Sequence, residues 1–153
     1  MYEIDDSLKE FIESGVATLV ATGDSSGRPH VAYAWAPRVA ENDGHMEVFI
    51  DTARADRTIA NLRANGLIAV TMAHPVSYRS VQLKGNFGDV GEPSVEDQAY
   101  VQQRREDFLT CTSLVGDPPE SIRNLWLEDV VRIAFTVDQA FDQTPGPDAG
   151  KPL

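Results

Sequence analysis

Residues 130–137 alternate cleanly, with Val131, Ile133, Phe135 and Val137 on one side and Arg132, Ala134 and Thr136 on the other. A period of two is the mark of a strand with one buried face. Five more runs suit strands: residues 16–22, rich in β-branched side chains, then 29–36, 46–50, 67–73 and 80–87. Turn residues punctuate them: Gly23-Asp24-Ser25-Ser26-Gly27, Glu41-Asn42-Asp43-Gly44 and His74-Pro75-Val76-Ser77. The first two runs therefore read as a hairpin. Six short strands joined by tight turns point to a small antiparallel barrel, because closing the sheet removes its exposed edges.

Helices flank this β framework. Asp6 or Ser7 caps a first helix that carries Leu8, Phe11 and Ile12 at helical spacing and closes at Gly15. A second is expected over residues 55–64, with Ile59 and Leu62 inward and Asn65-Gly66 at its end. Pro93 and Ser94 open a polar helix over 95–109, Pro118-Pro119 interrupts the chain again, and the Pro/Gly-rich residues 143–150 suit neither helix nor strand. One helix inserted between strands fits a barrel better than a parallel α/β sheet. With no repeat, low-complexity tract or linker, the expectation is one mainly β (α+β) domain over residues 1–153.

Composition narrows the function classes. The net charge of −11 works against nucleic acid, whose binding draws on Lys and Arg, and the densest basic pair, Arg104-Arg105, is followed by Glu106 and Asp107. No apolar run approaches the roughly 18–20 residues that span a bilayer. The acidic start Met1-Tyr2-Glu3-Ile4-Asp5-Asp6 is unlike a signal peptide, and the lone Cys111 suits a reducing compartment, so a cytoplasmic protein is expected.

The familiar catalytic signatures are missing: no G-x-S-x-G, Walker A, G-x-G-x-x-G or H-E-x-x-H. His30, His45 and His74 lack ligand spacing, and Cys111 has no His or Lys beside it in sequence. Three local patterns remain. In His30-Val31-Ala32-Tyr33-Ala34-Trp35-Ala36 the large residues share one face and alanines the other, leaving room for something flat or for close backbone packing. In Asp51-Thr52-Ala53-Arg54-Ala55-Asp56-Arg57-Thr58 two arginines meet the start of a helix, where free N–H groups favour an anion; pairing with Asp51 and Asp56 at the surface is the other explanation. After Tyr78-Arg79, the face Ser80, Gln82, Lys84, Asn86 is polar and suits solvent, a heteroaromatic edge or a second subunit.

In order and spacing, three segments resemble the FMN-binding split-barrel family of pyridoxamine 5′-phosphate oxidase: G-R-P-H-V-A-Y-A-W (Gly27 to Trp35), M-E-V-F-I-D-T-A-R-A-D-R-T-I-A-N-L (Met46 to Leu62) and Y-R-S-V-Q-L-K-G (Tyr78 to Gly85). The resemblance covers about residues 15–90. It implies a six-stranded antiparallel split barrel that forms a homodimer with FMN at the interface. It places Asp51 and Thr52 at the flavin phosphate and ribityl chain, Arg57 as the phosphate arginine, and Thr58 where the family has a Lys whose loss Arg54 compensates. Tyr33, Ala34 and Trp35 would line the isoalloxazine ring, and Ser80 would touch its edge. The oxidase proper carries Trp and Arg near its C-terminus; here Thr144-Pro145-Gly146-Pro147-Asp148-Ala149-Gly150 has neither, so the vitamin-synthesis enzyme is not expected.

The implied function is an FMN-dependent oxidoreductase of unknown substrate, with Tyr33, Tyr78 and His74 candidate proton donors by side-chain type alone. The alternatives are a deazaflavin or haem binder on the same fold and a non-catalytic sensor or store.

Overall fold

The computed structural model describes residues 1–40 and 44–153, so all of the turn expected at Glu41-Asn42-Asp43-Gly44 except Gly44 lies outside the described residues. Six strands are formed: β1 Ala17–Gly23, β2 Pro29–Val39, β3 His45–Asp51, β4 Leu67–Ala73, β5 Ser80–Gly91 and β6 Val130–Asp142. Four helices accompany them: α1 Asp6–Ile12, α2 Thr52–Asn65, α3 Val95–Leu114 and α4 Pro119–Arg123. The strands close in the order β1-β2-β3-β6-β5-β4, every pair antiparallel. The expected six-stranded antiparallel barrel with flanking helices is the fold observed. Among the described residues no helix is long and apolar enough to cross a membrane.

Alternation decides what fills the barrel. Val20, Val48, Val70, Leu83, Ile133 and Phe135 point inward from five of the strands and are almost fully buried. Ala32 and Ala34 join this core, so the alanine face of β2 looks into the barrel and leaves no slot on its surface. The large residues of β2 point outward: Val31 and Tyr33 are 54% and 53% exposed, whereas Trp35 is covered by α3. The strand continues past Trp35 through a bulge in which Ala36 takes φ 49°, and so runs to Val39 instead of ending at residue 36. β5 also outruns its expected end; at Gly85 a Cβ would lie 1.7 Å from the Thr136 carbonyl oxygen, so no side chain fits where β5 crosses β6.

The helices cover the barrel by distinct means. Asp5, one residue before the expected cap, accepts the Leu8 amide at 2.8 Å and starts α1, which buries Leu8, Phe11 and Ile12. α2 buries Ala55, Thr58, Asn61 and Leu62, and Asn61 Nδ2 donates to Thr22 Oγ1 at 3.0 Å. It ends at Gly66 in the left-handed conformation (φ 73°) that glycine adopts at low cost. α3 begins with a reciprocal cap between Ser94 and Asp97 and seals Trp35, Phe49 and Val130 beneath Val101. Asp97 also accepts Arg38 Nη2 at 2.5 Å, and Arg38 Nε donates to Glu47 at 2.7 Å, so the helix start is tied across β2 to β3. Pro119 does not merely interrupt the chain; it occupies the first position of α4, where its missing N–H costs nothing.

One part of the sheet keeps large side chains exposed among the described residues. The cross-strand pairs Leu19↔Tyr33 and Ala21↔Val31 on β1–β2 continue through Ala21↔Ala69 onto β4. Leu19, Val31, Tyr33 and Leu67 are exposed there.

Candidate functional site

The site expected from sequence centres on the passage from β3 into α2, and here the chain departs from expectation. α2 begins at Thr52, three residues before the expected start at residue 55, which makes Asp51 the residue preceding the first turn. An Asp in that position ordinarily caps the helix by accepting one of its first amides. Asp51 makes no such bond. Its side chain is fully buried, and both oxygens are engaged elsewhere. Oδ1 accepts Trp35 Nε1 at 3.2 Å and Arg105 Nη2 at 2.8 Å, while Oδ2 accepts Arg54 Nη1 at 3.4 Å.

In sequence Arg105 reads only as half of a basic pair, yet it is the buried centre of this cluster. Its side chain is 5% exposed, its guanidinium lies 5.0 Å from the Trp35 ring centroid and 5.9 Å from that of Trp126, and Nη1 donates to the Leu127 carbonyl at 2.9 Å. Burial pulls the guanidinium below its ordinary pKa, and the Asp51 carboxylate opposes that shift. A signal was present: Val101, Arg105 and Leu109 are spaced four apart on one helical face and all are buried.

The two arginines of the sequence motif separate. Arg54, in the first turn of α2, bridges Asp51 and the Leu125 carbonyl, the latter at 3.3 Å. Arg57 lies a turn further along, exposed. It faces the β1–β2 turn, where the Ser26 hydroxyl, the Arg28 amide and more weakly Arg57 hold the Asp24 carboxyl below its ordinary value. Thr52 is exposed at the helix start, with its amide donating to the Asp129 carbonyl at 2.9 Å. Thr58 is fully buried under the helix, so its hydroxyl does not reach the surface.

Of the residues on β2, Tyr33 is open to solvent beside an apolar hollow of about 120 Å³ lined by Leu19, Trp35, Phe108 and Leu125. The Ala34 side chain faces the core, whereas that of Trp35 shares the outer face with Tyr33 but lies under α3. Ser80 is separated from β2 by β1 and β4, and its hydroxyl donates to the Tyr78 carbonyl at 3.0 Å. A cleft of about 430 Å³ also borders Thr52 and Arg105, but Glu92, Glu128 and Asp129 line it and make it unfavourable for a phosphate.

Two further expectations change in three dimensions. Cys111, without a histidine beside it in sequence, has His74 Nε2 at 3.8 Å; burial and Asp107 push its thiol pKa up, so the contact does not activate it. His74 Nδ1 accepts the Val76 and Ser77 amides, both at 3.3 Å, and organises the β4–β5 turn. Among the described residues no three His, Cys, Asp or Glu side chains gather as a metal site.

No curated protein sequence matches the chain. Similar solved structures include HupZ of Group A Streptococcus, 17% identical over 96% of this chain and 99% of that one at TM-score 0.58. An F420 reductase is 18% identical over 86% and 94% at TM-score 0.54, and an FMN-binding protein of Syntrophomonas wolfei subsp. wolfei is 15% identical over 90% and 87% at 0.51. At such identity the likeness speaks for the fold alone. The sequence profile of pyridoxamine 5′-phosphate oxidase, however, matches residues 4–139, nearly the whole barrel with α1, α2, α3 and α4, and the chain therefore belongs to that family.

Proposed function

We propose that this chain is a single flavin-binding domain that holds FMN between two copies of itself and acts as an oxidoreductase. The observation that carries the reading is the start of α2: its first turn has no acidic side chain and no side-chain cap, and Arg54 and Arg57 rise from its first two turns. Uncapped amides at a helix N-terminus favour a phosphate, and a nearby guanidinium adds charge-assisted hydrogen bonds. Arg54 and Arg57 are assigned to the phosphate, and Thr52, which borders the acidic cleft, to the ribityl chain. Tyr33, with the β2 backbone at Ala34 and Trp35, is assigned to the ring. Asp51 and Thr58 stand behind the site as supports, the first through Trp35 and Arg105, the second within the core.

Bound FMN supplies hydride or electron chemistry; the protein binds, orients and shields it. The shielding is assigned to a second copy meeting the exposed Leu19, Val31, Tyr33 and Leu67. An apolar sheet face of this kind marks an interaction surface. Membership in the pyridoxamine 5′-phosphate oxidase family supports both the oxidoreductase reading and the flavin.

The second reading is a non-catalytic binder of flavin, deazaflavin or haem. It is favoured by the lack, among the described residues, of a poised proton donor: Tyr33 and Tyr78 are open to solvent and His74 is occupied by the β4–β5 turn. The absorbance spectrum of freshly purified protein distinguishes these. Flavin bands that bleach with NADH or NADPH and return in air support the oxidoreductase. A Soret band, or flavin bands indifferent to every donor, support the second reading, and a protein that stays colourless after incubation with FMN contradicts the first.

A further inference from the structure

We propose that Arg105 is a positioning residue for the α2 anion site: by holding the Asp51 carboxylate away from α2, it leaves the Ala53 and Arg54 amides to the flavin phosphate, the Thr52 amide being taken by the Asp129 carbonyl. The inference rests on the FMN reading above and goes beyond it to a residue on another helix, 54 positions along the chain from Asp51.

Asp51 is the residue placed to cap α2, and aspartate is among the strongest N-caps. A capping carboxylate would compete with a phosphate for the same amides and repel it. Three donors prevent this. Trp35 Nε1 and Arg105 Nη2 take Oδ1 at 3.2 and 2.8 Å, and Arg54 Nη1 takes Oδ2 at 3.4 Å. Of these, Arg105 makes the shortest bond and brings the buried charge that balances Asp51. Arg105 is itself fixed, with Nη1 on the Leu127 carbonyl and its plane close to the rings of Trp35 and Trp126. Arg54, by contrast, is the exposed member of the cluster and divides its Nη1 between Asp51 and the Leu125 carbonyl. The pair thus does two things at one junction: it neutralises a carboxylate beside an anion site and turns it from the helix axis. Arg105 has no part in contacting the flavin.

The test compares dissociation constants for FMN and riboflavin, measured by flavin fluorescence quenching, in the full chain. The parent is expected to prefer FMN. Arg105→Gln frees a charged Asp51 to cap α2, and should lose tenfold or more of that preference while riboflavin affinity stays unchanged. Adding Asp51→Asn removes the competing charge and should restore the preference. An unchanged preference in Arg105→Gln overturns the proposal, as does an equal loss for both ligands or a double variant as impaired as the single. Should Arg105→Gln not fold, Asp51→Asn is compared with Asp51→Asn/Arg105→Gln. Equal preference supports positioning, and a loss in the double variant shows that Arg105 acts through its own charge and overturns it. A parent that binds riboflavin as tightly as FMN fails the phosphate reading itself, an outcome read before any variant is made.

Discussion

Arg105 Nη2 lies 2.8 Å from Asp51 Oδ1 in a buried pair that ties the middle of α3 to the point where β3 becomes α2. Trp35 belongs to both partners, donating its ring N–H to the carboxylate and lying 5.0 Å from the guanidinium. One ion pair therefore joins the covering helix, the barrel wall and the helix that opens the candidate phosphate site.

A buried pair is costly to break from one side, because the remaining charge is left without compensation. Arg105→Ala is expected to lose about 3–5 kcal/mol of stability in denaturant unfolding. Replacing both residues by a neutral hydrogen-bonding pair should cost clearly less. Equal losses in the single and the double variants would contradict a compensated pair.

Gly85 tests the closure of the barrel. An added Cβ would meet the Thr136 carbonyl oxygen at 1.7 Å, whereas at Gly88 the nearest atom, the Ala134 oxygen, lies at 3.3 Å. Gly85→Ala should therefore cost about 3 kcal/mol, the upper end for overpacking, and Gly88→Ala distinctly less. Thermal unfolding of the two variants checks the order.

Asp97 sets an acid limit on α3. Burial pushes its carboxyl pKa up, but the hydrogen bonds from the Ser94 amide and Arg38 outweigh this and hold it below 3.8. A depressed folded pKa gives stability that is fully present above the unfolded value and lost as pH falls through the folded one. Asp97→Asn should destabilise the protein at neutral pH and flatten the decline of stability below about pH 4. An acid limb as steep as the parent's would show that other carboxylates set it.

The sequence disclosed the β framework more fully than the site, for local reasons. β4 falls on the expected residues because Gly66 and His74-Pro75 bound it on both sides. α2 starts three residues early because nothing in Ile50-Asp51-Thr52 marks the change from strand to helix, and the Asp that would mark it bonds to α3. Alternation in β2 divided its residues correctly into two faces but could not say which face is inside. Ala32 and Ala34 are inside because larger residues from the other strands already fill the barrel, and Trp35 is acceptable outside because α3 covers it. The role of Arg105 is not legible in its neighbours Arg104, Glu106 and Asp107, because its partner comes from β3.

The exposed face of Leu19, Val31, Tyr33 and Leu67 predicts a homodimer. Sedimentation at micromolar concentration should give twice the 16.8 kDa chain mass, and Val31→Glu/Tyr33→Glu should give the monomer with its far-ultraviolet spectrum retained. A parent that sediments as a monomer would remove the interface assigned to the flavin.

If a flavin phosphate docks at the start of α2, Arg57 is the exposed cation that holds it. Arg57 is exposed, and among the described residues it forms no ion pair within 4.0 Å, so Arg57→Ala should leave the helix, held by Ala55, Asn61 and Leu62, intact. The measurement is the pair of dissociation constants for FMN and riboflavin in parent and Arg57→Ala. The account predicts that FMN affinity falls by about 1.5–3 kcal/mol, or roughly ten- to a hundredfold, while riboflavin, which lacks the phosphate, binds both proteins alike. Unchanged FMN affinity in Arg57→Ala would contradict it.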